Sequence, residues 1–176
     1  MSSLKEIIRA DFYRYTNSLG FMSFLRTYVK DRGFRYVFWF RCAQAATPVL
    51  STLAKYKLFR MKGKYGLDIS WKTQIGPGLY LGHGQSIVIS HKAKIGKNFN
   101  ISQFCSIGTN EGQAATIGDN VYVGPNVCIV EAVQIGNRVT IGAGSVVVKD
   151  IPSDATAVGV PARVVHFNRP ARYIKT

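Results

Sequence analysis

Ile117-Gly118-Asp119-Asn120-Val121-Tyr122-Val123-Gly124-Pro125-Asn126-Val127-Cys128-Ile129 places an aliphatic residue at every sixth position, with Gly behind the first two. The beat continues downstream through Ile135-Gly136, Ile141-Gly142 and Val147-Val148. Upstream it runs through Ile75-Gly76, Leu81-Gly82, Ile95-Gly96, Ile101-Ser102 and Ile107-Gly108. It breaks phase twice, through two extra residues between Leu81 and Ile89 and an insertion between Ile107 and Ile117. A period of six is neither the 3.6 of a helix nor the alternation of a hairpin.

Six residues make one short strand and one corner, so three repeats close a triangular coil. The aliphatic residue points inward and stacks on its equivalents above and below. Three positions after the beat stand Gly78, Asn98, Asn120, Asn126 and Gly144. Gly and Asn reach positive φ at least cost, as sharp corners require. The expected fold is all-β, a parallel β-helix over 66–165, preceded by an α-helical segment over 1–65.

The helical expectation rests on Leu4, Ile7, Ile8 and Phe12, then on Phe21, Phe24, Leu25 and Tyr28, both at helical spacing. Residues 34–46 are rich in aromatic and apolar side chains, and Pro48 marks a break or a helix start. Residues 1–65 carry thirteen Lys and Arg against three acids, whereas residues 66–165 carry seven against six. Arg169, Arg172 and Lys175 add charge to a basic tail, 166–176. The formal net charge of +14 therefore sits at the two ends. Such ends suit a solvated surface, a phosphorylated ligand or an anionic membrane that the N-terminal segment touches peripherally. No nucleic-acid motif accompanies the charge, so nucleic acid is not an expected partner.

Cys42, Cys105 and Cys128 are odd in number and widely spaced, which argues against a disulfide framework and a zinc site. Met1 to Ala10 lacks an apolar leader core, and the uncharged run 42–54 is too short to span a bilayer. A cytoplasmic protein is the expectation.

From Leu67-Asp68-Ile69, through Gly82-His83-Gly84 and Ile87-Val88-Ile89, to Ile141-Gly142-Ala143-Gly144-Ser145-Val146-Val147, the sequence resembles the hexapeptide-repeat acyltransferases. Within them it is most similar to the serine O-acetyltransferase group. Ala157-Val158-Gly159-Val160-Pro161-Ala162-Arg163 extends the match, and Arg32-Gly33-Phe34 with Arg41 resembles that group's N-terminal region more weakly. The resemblance implies a left-handed coil, a homotrimer, and acetyl-CoA as co-substrate in the groove between neighbouring β-helices.

Acyl transfer to an alcohol needs a base for the hydroxyl proton and donors for the oxyanion. An imidazole titrates in the right range. His83 lies in the two-residue expansion, where the chain bulges off the coil, and Asp68 lies fifteen residues earlier, near one coil's length. An Asp accepting Nδ1–H would leave Nε2 free for a proton, and the resemblance implies these two roles for Asp68 and His83. It also points to Gly124, Gly142 and Ala143 for the pantetheine arm, and Lys149 and Arg163 suit the phosphates. Coil geometry explains the Gly residues equally well. His91 reads as a surface residue and His166 as structural. Cys105 and Cys128 read as packed thiols, and no metal is expected.

The acceptor side departs from the group. Its members carry an acid before the catalytic His and an Arg-His pair in a later loop. Here those positions are Gly82, and Gln113 with Ala114, in a loop that also holds Asn110. A site lacking partners for charged ends discriminates against a charged substrate. The expected acceptor is a hydroxyl of a saccharide or surface polysaccharide, as in the O-acetyltransferases of capsule and exopolysaccharide synthesis, with Gly82, Asn110 and Gln113 beside it. Serine O-acetyltransfer is the alternative, and a non-catalytic β-helix scaffold the second alternative.

Overall fold

The structure, a computed structural model, describes residues 3–16 and 18–174. Lys175, counted with the basic tail, lies outside the described residues. Four helices come first: α1 (Leu4–Thr16), α2 (Phe21–Lys30), α3 (Arg32–Ala43) and α4 (Pro48–Tyr65). Three of their boundaries have a local cause. The Asp31 carboxylate accepts the Phe34 N–H at 2.8 Å and caps α3. Pro48 sits in the first turn of α4, where its missing N–H costs nothing, and Gly66 ends that helix at φ +66°.

The rest is a left-handed parallel β-helix of three sheets. Sheet A stacks β1 (Leu67–Ile69), β4 (Ile87–Ile89), β7 (Ser106–Gly108), β10 (Cys128–Val130) and β13 (Val146–Val147). Sheet B stacks β2 (Gln74–Ile75), β5 (Lys94–Ile95), β8 (Thr116–Ile117) and β11 (Gln134–Ile135). Sheet C stacks β3 (Tyr80–Leu81), β6 (Asn100–Ile101), β9 (Tyr122–Val123), β12 (Thr140–Ile141), β14 (Thr156–Gly159) and, antiparallel at its end, β15 (Ala162–His166).

The beat residues Leu81, Ile101, Val123, Ile141 and Val147 are buried, as the six-residue period requires. The repeat has a second inward position, two residues earlier, that the period alone did not announce. Leu79, Phe99, Cys105, Val121, Val127 and Val139 fill it and are fully or almost fully buried. The corner reading holds as well: Gly78, Asn98, Asn120, Asn126 and Gly144 all have positive φ. Asn98 and Asn120 add a ladder, Nδ2 donating to Oδ1 at 2.9 Å.

Two elements differ from expectation. The apolar stripe of α2 is split: Phe24 and Tyr28 pack edge-on against Phe38, while Phe21 and Leu25 stay exposed. The tail folds back on sheet C, where the Tyr173 ring packs at a tilt against Tyr122, centroids 4.6 Å apart, and its carbonyl accepts a hydrogen bond from Asn100 Nδ2.

A buried ion pair joins helices to coil. Arg41 Nε donates to Asp11 Oδ2 at 2.7 Å, and Arg41 also donates to the Ile75 and Gly76 carbonyls. Asp11 Oδ1 in turn accepts the Gly78 and Leu79 N–H groups. One hydrophobic cluster runs without a break from Tyr36 and Phe40 through the coil to Ala157.

Candidate active site

The three edges of the prism sort the candidate residues. The edge where sheet C turns into sheet A carries Gly82-His83-Gly84, then Gly124, then Gly142-Ala143-Gly144. The edge where sheet A turns into sheet B carries His91, the 109–115 loop and Lys149. His83 thus shares an edge with three of the residues assigned to acetyl-CoA and not with Asn110 or Gln113.

His83 is exposed and adopts φ +60°, a conformation uncommon for a side chain with a Cβ. It is held there from the helices. Arg32 Nε donates to the His83 carbonyl at 2.6 Å, and its Nη2 donates to Gln85 Oε1 at 2.9 Å. Gly33 and Gly84 meet backbone to backbone: a Cβ on Gly84 would lie 2.6 Å from the Gly33 nitrogen. A strained residue held by neighbouring elements is a common feature of functional sites.

Asp68 does not meet His83 as the spacing suggested. The rung at this level is twenty residues long, so Asp68 pairs in register with Val88, five positions beyond His83. Its carboxylate takes Lys62 Nζ of α4 at 2.7 Å. Both partners are about half exposed, and such a pair holds its geometry weakly.

Further along the same edge, Gly142 and Ala143 line a cavity of about 300 Å³ with Tyr122, Thr140, His166 and Arg172. Two polar atoms of its lining residues, Thr140 Oγ1 and His166 Nδ1, are buried without a partner among the described residues. A buried polar group without a partner costs free energy, so these atoms suit a ligand that hydrogen-bonds. Lys149 and Arg163 are exposed and stand outside this cavity, and Arg172 supplies its cation. His166 and Arg172 were legible only as a structural His and as tail charge, because their place depends on the tail folding back. Gly124 and Gly142 also serve the coil: a Cβ on Gly124 would lie 2.8 Å from the Ala143 nitrogen, and one on Gly142 2.6 Å from Val158 Cγ1.

On the other edge, Gln113 lines a separate cavity with Gln74, His91 and Lys92. The Asn110 N–H and Thr109 Oγ1 both donate to the Glu131 carboxylate, which holds that carboxyl below its ordinary pKa. His91 is exposed, as read. Cys105 fills the second inward position, and burial pushes its thiol up to about 11, so it is a packed thiol and a poor nucleophile. Among the described residues no three His, Cys, Asp or Glu side chains group as metal ligands.

The six-repeat bacterial transferase hexapeptide model matches residues 114–149. The serine acetyltransferase of Neisseria gonorrhoeae, solved in complex with serine, is 31% identical, with a TM-score of 0.76 over 91% of this chain and 68% of its own. The chain belongs to the hexapeptide-repeat acyltransferases. Within this family it falls in the serine O-acetyltransferase-like group. A soybean serine acetyltransferase complexed with serine gives a TM-score of 0.79 at 28% identity, over 93% of this chain and 70% of its own. The serine acetyltransferase of Synechococcus elongatus is 38% identical over 105 residues, 57% of this chain and 43% of that relative. This hexapeptide-repeat chain spans less than half the length of the curated relatives it matches.

Proposed function

We propose that this chain transfers an acetyl group from acetyl-CoA to a hydroxyl, with His83 as general base. One observation carries the reading: His83 and the Gly142-Ala143 cavity stand on the same edge, three rungs apart. At ordinary strand spacing that is roughly 14 Å, a length an extended pantetheine arm can span. Gly142, Ala143, Thr140, His166 and Arg172 would hold acetyl-CoA, which supplies an activated acetyl thioester. His83 would take the acceptor proton as the acceptor oxygen forms the new ester bond, and a backbone N–H would stabilise the oxyanion. As the C–S bond breaks, His83 would pass that proton to the CoA sulfur, which leaves as the free thiol. Asp68 would leave its weak pair with Lys62 to orient the imidazole.

The names of the relatives favour serine as acceptor over the saccharide expected from the sequence. A specific observation supports the saccharide as a second reading. Gly82 offers no charge beside His83, and the exposed loop residues Asn110, Glu111 and Gln113 offer no cation for a serine carboxylate. That loop lies on a different edge from His83, so a second copy must bring it there. A closed homotrimer does this with one repeated interface. We also infer peripheral contact with an anionic membrane through α2 and α4, whose outer faces combine exposed Phe21, Met22, Val49 and Phe59 with basic residues and no acid.

Release of free CoA thiol, measured with L-serine and with oligosaccharides as acceptors, tests the reading. Turnover with one acceptor that falls by roughly 100-fold or more in His83→Ala supports it. Turnover indifferent to His83 overturns the assignment of the base, and no turnover with either acceptor overturns the reading and leaves the scaffold.

A further inference from the structure

Arg14 of α1 is 6% exposed, and its Nε and Nη1 are buried without an acceptor among the described residues. Asp11, one turn earlier, is already engaged: Arg41 takes both of its oxygens, and two backbone N–H groups add to Oδ1. A cavity of about 170 Å³ adjoins the guanidinium, lined by Arg14, Tyr15, Tyr80, Asn100 and Tyr173, with no carboxylate among them. The Tyr15 hydroxyl accepts the Leu81 N–H at 2.9 Å, while its own proton meets no acceptor among the described residues.

A largely buried guanidinium that no carboxylate pairs with among the described residues is costly for a fold to hold. Its fork of N–H groups fits a planar carboxylate or a phosphate face through two parallel hydrogen bonds. The guanidinium repels a cation, and an apolar ligand would leave its N–H groups unmet. We propose that the Arg14 cavity is an oxyanion-binding site, built for a carboxylate or phosphate group.

The outer wall is the tail. The Tyr173 carbonyl accepts from Asn100 Nδ2 at 3.2 Å, and Tyr173 itself is 46% exposed. The inner wall is rung one of sheet C, where Tyr80 and Leu81 run directly into Gly82-His83. An acidic group bound here lies on the face that leads to the edge carrying His83. Binding itself does not depend on acetyl transfer and is measured without acetyl-CoA.

Calorimetric titration with inorganic phosphate, glucuronate and neutral glucose tests the site. Saturable binding of phosphate or glucuronate, no binding of glucose, and at least about tenfold weaker binding in Arg14→Gln is the expected result. The tighter of the two anions tells a phosphorylated from a carboxylated ligand. Asn100→Asp puts a like charge in this cavity and not in the one that Arg172 lines, and should also weaken binding; if Arg14→Gln fails to fold, this variant decides alone. No saturable anion binding to the unaltered chain, or titrations unchanged in the folded variants, overturns the proposal.

Discussion

The Nε of Arg32, at the first position of α3, donates to the backbone carbonyl of His83 at 2.6 Å. A helix thereby fixes the corner that carries the candidate base. Arg32→Ala should leave the coil folded, since it removes exposed and half-buried contacts alone. It should lower kcat more than it raises KM, because the imidazole loses its aim and not its binding partners. Steady-state kinetics beside an unchanged thermal transition check this. Gly33→Ala is the harsher change, since its Cβ would run into the Leu81 carbonyl, and should cost both stability and activity.

Asp11 and Arg41 are almost completely buried and between them hold four backbone atoms of the coil, the Ile75 and Gly76 carbonyls and the Gly78 and Leu79 N–H groups. Asp11→Ala strands the Arg41 charge, and the loss should be about 3–5 kcal/mol. Urea unfolding read by far-UV circular dichroism measures it. A loss below about 1 kcal/mol would mean that the helices do not depend on this tie.

Glu131 holds the 109–111 segment through Thr109 and the Asn110 N–H, and those bonds lower its folded pKa below the ordinary 4.5. A carboxyl depressed on folding stabilises above its unfolded value and loses that contribution as pH falls through the folded one. Hydrogen-exchange protection of the Asn110 amide should therefore be complete above pH 4.5 and decline below it. In Glu131→Gln that decline should vanish.

Phe21 and Phe59 are each 73% exposed on helices whose charged residues are all basic. Sedimentation with phosphatidylserine-containing vesicles should retain the protein, and uncharged vesicles should not. Phe21→Glu with Phe59→Glu should release it without changing its thermal transition. A second copy is a poor occupant of these faces, because it brings the same positive charge; retention that follows self-association instead would argue for it.

Much of the coil was legible because its period is a local constraint. A residue that must point inward every six positions leaves its mark at Ile117, Val123 and Ile129 whatever else the chain does. Corners at positive φ likewise select Gly78, Asn98 and Asn120 by backbone sterics alone. The second inward position has no such mark, because Phe99, Cys105 and Ala115 share burial but not a residue type.

The sequence by itself determined the coil, its corners, the helical start and the singular place of His83 in an expanded turn. Only tertiary structure decided what each of these touches. Asp68 fell to Lys62 because rung length, set by the expansion, moved Val88 into register with it. His166 and Arg172 joined Gly142 and Ala143 because the tail reverses onto sheet C, and Arg14 has no ion pair among the described residues because Asp11 pairs with Arg41. Periodicity is written residue by residue, whereas the choice among partners is settled by which side chains arrive first at one point in space.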